Sequence, residues 1–122
     1  MNRFPVLTKI MPEKKKFLDK QRTVYLKAVH HEKPITLYWI EQSSIVGRKA
    51  YPCVYADGEE VLSFLHTNKA ASAPLEEKWK DLTPELIESE FTVTSMEEKA
   101  FFEEYHSYRS RHIETMDHSD LL

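Results

Sequence analysis

The sequence predicts a single α+β domain built from an N-terminal amphipathic helix, a three-stranded antiparallel meander, and helices packed on one face of the sheet. Three observations carry this prediction. Apolar residues recur at helical spacing after Pro12, three segments rich in β-branched and aromatic residues follow between positions 35 and 65, and an aromatic stripe at helical spacing lies near the end. No repeat, low-complexity tract or Gly/Ser linker occurs, so we expect one domain over 1–122 with a tail that frays from about Glu114.

The composition is that of a globular domain that folds without cross-links. Of the 122 residues, 41% are apolar and 30% are charged, which is typical of globular proteins apart from some excess of charge. Two glycines and one cysteine exclude an internal disulfide framework, a Cys-rich zinc module and a glycine-rich phosphate loop. No apolar run approaches the ~18 residues of a membrane span, and no signal-peptide core follows the first residues. We therefore expect a cytoplasmic protein that does not bind membranes.

The first element is ambiguous between helix and strand. Pro12 suits the first position of a helix, and no further breaker occurs before His31. The apolar residues that share one helical face are Phe17, Leu18, Val24, Tyr25, Ala28 and Val29. Within 22–29, however, Val24, Leu26 and Ala28 also alternate with their neighbours, as they would in a strand. We favour the helix and keep the strand as the alternative.

The meander is predicted from the three β-rich segments. Pro34 stops any helix, and residues 35–40 are dense in β-branched and aromatic side chains. A loop is expected to begin at residues 42–44, and residues 51–56 form the second predicted strand. Because Pro52 has no N–H to donate to a neighbouring strand, we expect it at a sheet edge or a β-bulge.

The clearest local signal is the Asp57-Gly58 pair between two apolar segments. Such a pair supplies the positive φ angles of a tight primed turn, whose twist matches that of antiparallel strands. Residues 59–65 are then the return strand.

Capping signals define two helices in the second half of the chain. Thr67 or Asn68 can cap a short helix over 70–73, and Pro74 is expected to limit its length. Residues 83–85 offer a capping hydroxyl, a proline at the first helical position and an acid in the first turn, which predicts the start of the next helix.

A capping signal and an aromatic stripe predict the final helix. The segment before this helix, residues 91–94, has an ambiguous pattern and could form an edge strand. Ser95 and Glu98 have the spacing of a capping box, in which each side chain satisfies a backbone N–H at the helix start. The residues that then recur at helical spacing are Phe101, Phe102, Tyr105, Tyr108 and His112.

Charge is distributed unevenly along the chain. Residues 1–33 carry nine basic and three acidic side chains, whereas residues 34–122 carry eight basic and seventeen acidic ones. A basic segment attached to an acidic body could meet nucleic acid or an acidic partner. The simpler interpretation is a solvated basic face complemented by the rest of the molecule, and the net charge of −3 favours it, because a net acidic protein is repelled by phosphates.

Few residues in the sequence suggest catalysis or metal binding. Cys53 lies within a predicted strand, where a buried cysteine usually serves as a small apolar side chain. Glu103 and His106 have the spacing of half a carboxylate di-iron motif, but no second Glu-x-x-His occurs. The glutamates at 97, 98, 103 and 104 share a helix with an aromatic face, so we expect them to be solvated rather than catalytic.

These observations favour a small non-enzymatic protein-binding module, such as an inhibitor, an adaptor or an immunity-type protein. The sequence shows no cofactor fingerprint and no catalytic constellation, and we predict no cofactor or metal; surface charge of both signs suits the steering of a partner. The predicted contact residues are Asp57, Glu59, Glu60, Tyr51, Glu97, Glu103 and Glu104.

The alternative function is nucleic-acid binding through residues 9–27. The side chains that would contact phosphates are Lys14, Lys15, Lys16, Lys20, Arg22 and Lys27. A third hypothesis, a small enzyme or metal protein centred on Glu103 and His106, has the weakest support from the sequence.

Overall fold

The computed structural model describes residues 22–116 of the chain. The elements, in chain order, are β1 (Arg22–His30), β2 (Ile35–Ser44), β3 (Gly47–Asp57), β4 (Glu60–Ser63), α1 (Lys69–Lys80), α2 (Pro84–Glu90), β5 (Phe91–Met96) and α3 (Glu98–Thr115). The α+β class predicted from the sequence is confirmed. None of the helices within 22–116 is long and apolar enough to cross a membrane.

The five strands form one antiparallel sheet in the order β4-β3-β2-β1-β5. Strands β1 to β4 follow one another as a meander, and β5 returns after α2 to pair with β1. The three predicted strands correspond to β2, β3 and β4, but the prediction of a three-stranded sheet is wrong because β1 and β5 extend it at one side.

Residues 22–30, which we predicted as part of the N-terminal helix, form strand β1, so that part of the prediction is wrong. Residues from Tyr25 to Val29 pair with β2 on one side and with β5 on the other. Their side chains alternate: Leu26 and Ala28 pack on one face of the sheet, and Tyr25 packs on the other. The strand alternative was therefore correct, and the remainder of the predicted helix, 12–21, lies outside the described residues.

Helices cover both faces of the sheet, so the prediction that they pack on one face is wrong. Leu37 and Trp39 belong to a core that includes Leu75 of α1, whereas Tyr38, between them, packs with Phe101 of α3. All three of these β2 residues are buried. A strand with consecutive buried side chains needs cover on both sides, because successive side chains point to opposite faces.

The turns of the meander differ in detail from the predicted ones. Strand β2 continues to Ser44, through the predicted loop at 42–44. Asp57 ends β3 in the strand conformation, and the two-residue turn is Gly58-Glu59, with positive φ (61°) at Gly58 only. The hairpin itself is confirmed, since glycine at the first turn position provides the required twist.

Pro52 lies at a β-bulge, as expected from its missing N–H. Tyr38 pairs with Val54 and Trp39 pairs with Pro52, so Cys53 is the extra residue on β3. The bulge places Cys53 and Val54 in the same core cluster, beneath α3.

The helix starts are only partly as predicted. The Asn68 carboxamide caps α1 and the Thr83 hydroxyl caps α2, but α1 continues through Pro74 to Lys80. Pro74 cannot donate a hydrogen bond to the Ala70 carbonyl, and both residues are exposed, so this break in the helical hydrogen bonds faces solvent. The predicted capping box at Ser95 does not form: Ser95 belongs to β5, and α3 begins after Glu97 without a side-chain cap.

Candidate functional site

A cavity of about 460 Å³ opens beyond the end of β4, where no strand within 22–116 pairs with the outer side of β3. Its lining consists of Ile40, Tyr51, Pro52, Cys53, Phe64, His66, Leu75, Glu76, Phe102 and Tyr105. Apolar atoms make up most of the exposed lining. Such a surface is suited to an apolar group rather than to a strongly polar ligand.

The polar groups that Cys53 and Tyr105 bring to this cavity are already bonded to the backbone. The Cys53 thiol donates to the Tyr51 carbonyl at 3.4 Å, and burial raises the pKa of the thiol to about 12. The Tyr105 hydroxyl donates to the Phe64 carbonyl at 2.7 Å, and burial also raises its pKa. A thiol held in its protonated form is a poor nucleophile. The predicted burial of Cys53 is confirmed.

A second cavity, of about 420 Å³, lies on the face of the sheet that α1 and α2 cover. Trp39 and Trp79 line it together with Ile87 of α2 and Val93 of β5. The two indole rings meet edge to face with centroids 5.5 Å apart. Within 22–116, the buried Nε1 of Trp79 has no hydrogen-bond partner.

Glu104 and Lys27, each predicted to contact a partner, are bound to one another inside the fold. Glu104 Oε1 accepts from the Tyr38 hydroxyl and, at 3.2 Å, from Lys27 Nζ. The Tyr38 hydrogen bond, assisted by Lys27, lowers the pKa of Glu104. Burial and the neighbouring carboxylate raise the pKa of Tyr38. Because this network joins α3 to β1 and β2, both charged side chains have a role in packing.

Three predicted contacts, Asp57, Glu59 and Glu60, lie together at the β3–β4 turn. Glu59 and Glu60 are exposed, whereas Asp57 is half-buried. The Gly58 N–H donates to the Pro34 carbonyl at 3.0 Å, which ties this turn to the β1–β2 turn. Strand β5 begins at the same end of the sheet, since Phe91 pairs with His30.

The other predicted contacts are dispersed. Tyr51 is 44% exposed at the mouth of the larger cavity, and Glu97 and Glu103 are exposed at or near the start of α3. His106 is exposed, and its ring packs against those of Phe102 and Tyr105. No group of three potential metal ligands occurs among residues 22–116.

The predicted nucleic-acid surface lies mostly beyond the described residues. Lys14, Lys15, Lys16 and Lys20 fall in 1–21, and Arg22 is exposed at the start of β1. Arg48 and Lys49 are exposed at the start of β3, at the same end of the sheet. These three cations therefore lie at the end opposite the acidic β3–β4 turn.

Two histidines have structural roles that their sequence positions do not indicate. His30 Nδ1 accepts from the backbone N–H groups of Glu32 and Lys33, and its Nε2 lies 2.9 Å from Glu90 Oε1. His112 Nδ1 accepts from the Ser63 N–H at 2.9 Å and lies 3.0 Å from the Ser63 hydroxyl. The His30–Glu90 and His112–Ser63 interactions join residues more than 45 positions apart, so no local motif could have predicted them.

Comparison with known proteins adds no assignment: no family model, curated protein or solved structure matches this chain.

The buried thiol gives a first prediction. At neutral pH, Cys53 in the folded protein will react with iodoacetamide far more slowly than in the same protein unfolded in guanidinium chloride, because the folded thiol is protonated and enclosed. A matched variant, Cys53→Ser with Tyr51→Cys, places the thiol at an exposed position of the same strand and will react rapidly when folded. Equal rates for folded and unfolded wild-type protein would contradict the prediction, because they would show that Cys53 is accessible and that its pKa is not raised.

The buried histidine gives a second prediction, for the dependence of stability on pH. Burial lowers the folded-state pKa of His112 below its ordinary value near 6.5. Below pH 6.5 the unfolded chain binds the proton more readily, so the free energy of unfolding will fall from about pH 6.5 down to the lowered folded pKa. Urea unfolding at a series of pH values measures this slope.

His112→Gln will flatten the slope, while His106→Gln, at an exposed position on the same helix, will leave it unchanged. An identical slope in wild type and in His112→Gln would contradict the assignment.

Proposed function

We propose that this chain is a small non-enzymatic protein-binding module that recognises a basic surface of its partner through the acidic end of its sheet. The observation that carries the proposal is the cluster of carboxylates at one end of the strands. This acidic end consists of Glu32, Asp57, Glu59, Glu60 and Glu90, with Lys33 among them, whereas the other end is mixed and holds Arg22, Arg48 and Lys49 together with Glu97 and Glu98.

This cluster is suited to orienting a partner before contact. Several carboxylates at one end of a rigid sheet make a local field that attracts a basic surface to that end, which raises association rates and discriminates against acidic partners. Glu59 and Glu60 are exposed and form no ion pair within 22–116. A partner's lysine or arginine would not have to displace an internal cation there.

The contents of the larger cavity support a binding role over catalysis. Among the described residues, Cys53 has no ionisable hydrogen-bond partner, and burial raises the pKa of its thiol. Tyr51 offers exposed aromatic area at the mouth of the cavity, and exposed tyrosines are frequent anchors in protein interfaces. Three further predicted contacts lie away from the acidic end and are less important to the proposal: Glu97, Glu103 and Tyr51.

Quantitative capture with a matched pair of charge variants tests the proposal. The full-length protein, immobilised, is exposed to a nuclease-treated lysate of its native host. We expect wild type to retain one basic protein in stoichiometric amount, and Glu59→Lys with Glu60→Lys to weaken binding of that purified protein at least about tenfold, or roughly 1.4 kcal/mol.

The control is Glu77→Lys with Asp81→Lys, which reverses the same charge at two exposed positions at the end of α1, outside both cavities. Equal weakening by the two variants, or no stoichiometric protein, would contradict the proposal. Capture from an untreated lysate that is absent from the nuclease-treated lysate would instead favour the nucleic-acid alternative, with Arg22 as its described contact.

A further inference from the structure

Strand β5 is an edge of the sheet that the described residues leave open. Its inner side pairs with β1 over all six residues, from Phe91 opposite His30 to Met96 opposite Tyr25. No strand within 22–116 pairs with its outer side, since β5 is last in the strand order. An unpaired strand edge is a template for a further strand.

The hydrogen-bond register identifies the peptide groups that face outward. The His31 N–H donates to the Glu90 carbonyl at 3.0 Å. Because bonded and non-bonded pairs alternate in an antiparallel ladder, Thr92 and Thr94 direct their N–H and C=O groups towards β1. Val93 and Ser95 direct theirs towards the open side. Two donors and two acceptors thus stand in line, spaced to meet an added strand.

The edge lacks the features that usually protect such strands. Strand β5 has the sequence Phe-Thr-Val-Thr-Ser-Met, without a charge or a proline, and its register with β1 has no bulge. The four residues from Thr92 to Ser95 are exposed. By contrast, the opposite edge strand, β4, has only four residues and begins with Glu60. A short edge strand and charged side chains are common protections against unwanted pairing. Strand β5 has six residues and no charged side chain, so neither protection is present.

Carboxylates at both ends of β5 indicate the chemistry of its occupant. Glu88 and Glu90 precede the strand and Glu97 and Glu98 follow it, against Lys99 as the only cation within three positions. A second copy of this chain is disfavoured, because antiparallel pairing of two β5 strands about a two-fold axis would bring Glu90 of each copy near Glu97 of the other. A strand with lysine or arginine at each end would meet opposite charge at both ends.

The side chains of β5 favour an apolar residue at the centre of that strand. Val93 is 40% exposed and forms part of the wall of the smaller cavity, near Trp79 and Ile87. A β-branched side chain opposite Val93 would continue this apolar surface, since paired residues on adjacent strands share a face.

We propose that the outer edge of β5 binds an extended segment of another protein as a sixth strand, and that this segment has an uncharged β-branched centre flanked by basic residues. Main-chain hydrogen bonds to Val93 and Ser95 supply the contact, and the flanking carboxylates supply selectivity. The inference rests on the proposed protein-binding function for the existence of a partner, but its surface shares only Glu90 with the acidic end and its test needs no captured protein.

A peptide titration of the full-length, isotope-labelled protein tests this inference. The probe is a short synthetic peptide of alternating valine and threonine with two lysines at each end, and the matched peptide has glutamates in place of the lysines. We expect the lysine peptide to shift the amide resonances of Val93 and Ser95 more than those of residues in β3, and to bind at least about tenfold more tightly than the glutamate peptide.

Two substitutions at one position separate the main-chain contribution to peptide binding from the side-chain contribution. Val93→Pro removes an outward N–H without removing a hydrogen bond to β1, and it will weaken binding of the lysine peptide about tenfold. Val93→Ala retains the N–H and will weaken binding of the same peptide less. Glu97→Lys with Glu98→Lys will shift the preference towards the glutamate peptide, which keeps the test valid even if Val93→Pro does not fold.

Several results would overturn the inference. Equal binding of the two peptides would remove the charge argument, and equal weakening by Val93→Pro and Val93→Ala would remove the main-chain contact. Dimerisation through β5, or occupation of the edge by the chain's own residues outside 22–116, would each abolish the peptide shifts. Loss of the acidic-end capture with intact peptide binding would refute the proposed surface at Glu59 and Glu60 and leave this one standing.

Discussion

Burial of β2 on both of its faces is the constraint on which the rest of the structure depends. Leu37 and Trp39 are covered on one side, and Tyr38 lies beneath α3 on the other. Glu104 accepts hydrogen bonds from Tyr38 and from Lys27 of β1, which fixes α3 across the strands. Because helices lie over both faces, residues 22–116 leave the ends of the strands and the edges of the sheet as their accessible backbone, and both proposed binding surfaces lie there.

Elements with local signals could be predicted from the sequence, whereas those that depend on distant partners could not. The hairpin at Gly58, the caps at Asn68 and Thr83, and the bulge at Pro52 follow from the conformational preferences of a few neighbouring residues. Strand β1 could not be assigned, because its apolar residues suit both a helical face and a strand. Its pairing with β2 and β5, the latter more than 60 residues away in sequence, decides between the two.

The candidate sites show the same division. The sequence predicted a buried Cys53, because a lone cysteine within an apolar strand is usually part of the core. The cavity beside Cys53 arises because β4 ends at Ser63, and no residue type in the sequence indicates that end. The uncharged composition of residues 91–96 is visible in the sequence, yet only the strand order makes it an open edge with carboxylates at both ends. Edge position is a property of the whole sheet.

Amide hydrogen exchange in the isolated protein tests most directly whether β5 is an open edge of a sheet covered on both faces. We expect an alternating pattern along β5. Thr92 and Thr94, bonded to β1, will exchange slowly, and Val93 and Ser95 will exchange near the rate of exposed amides. Slow exchange at all four positions would contradict an open edge, because it would mean that the edge is already occupied in the free protein.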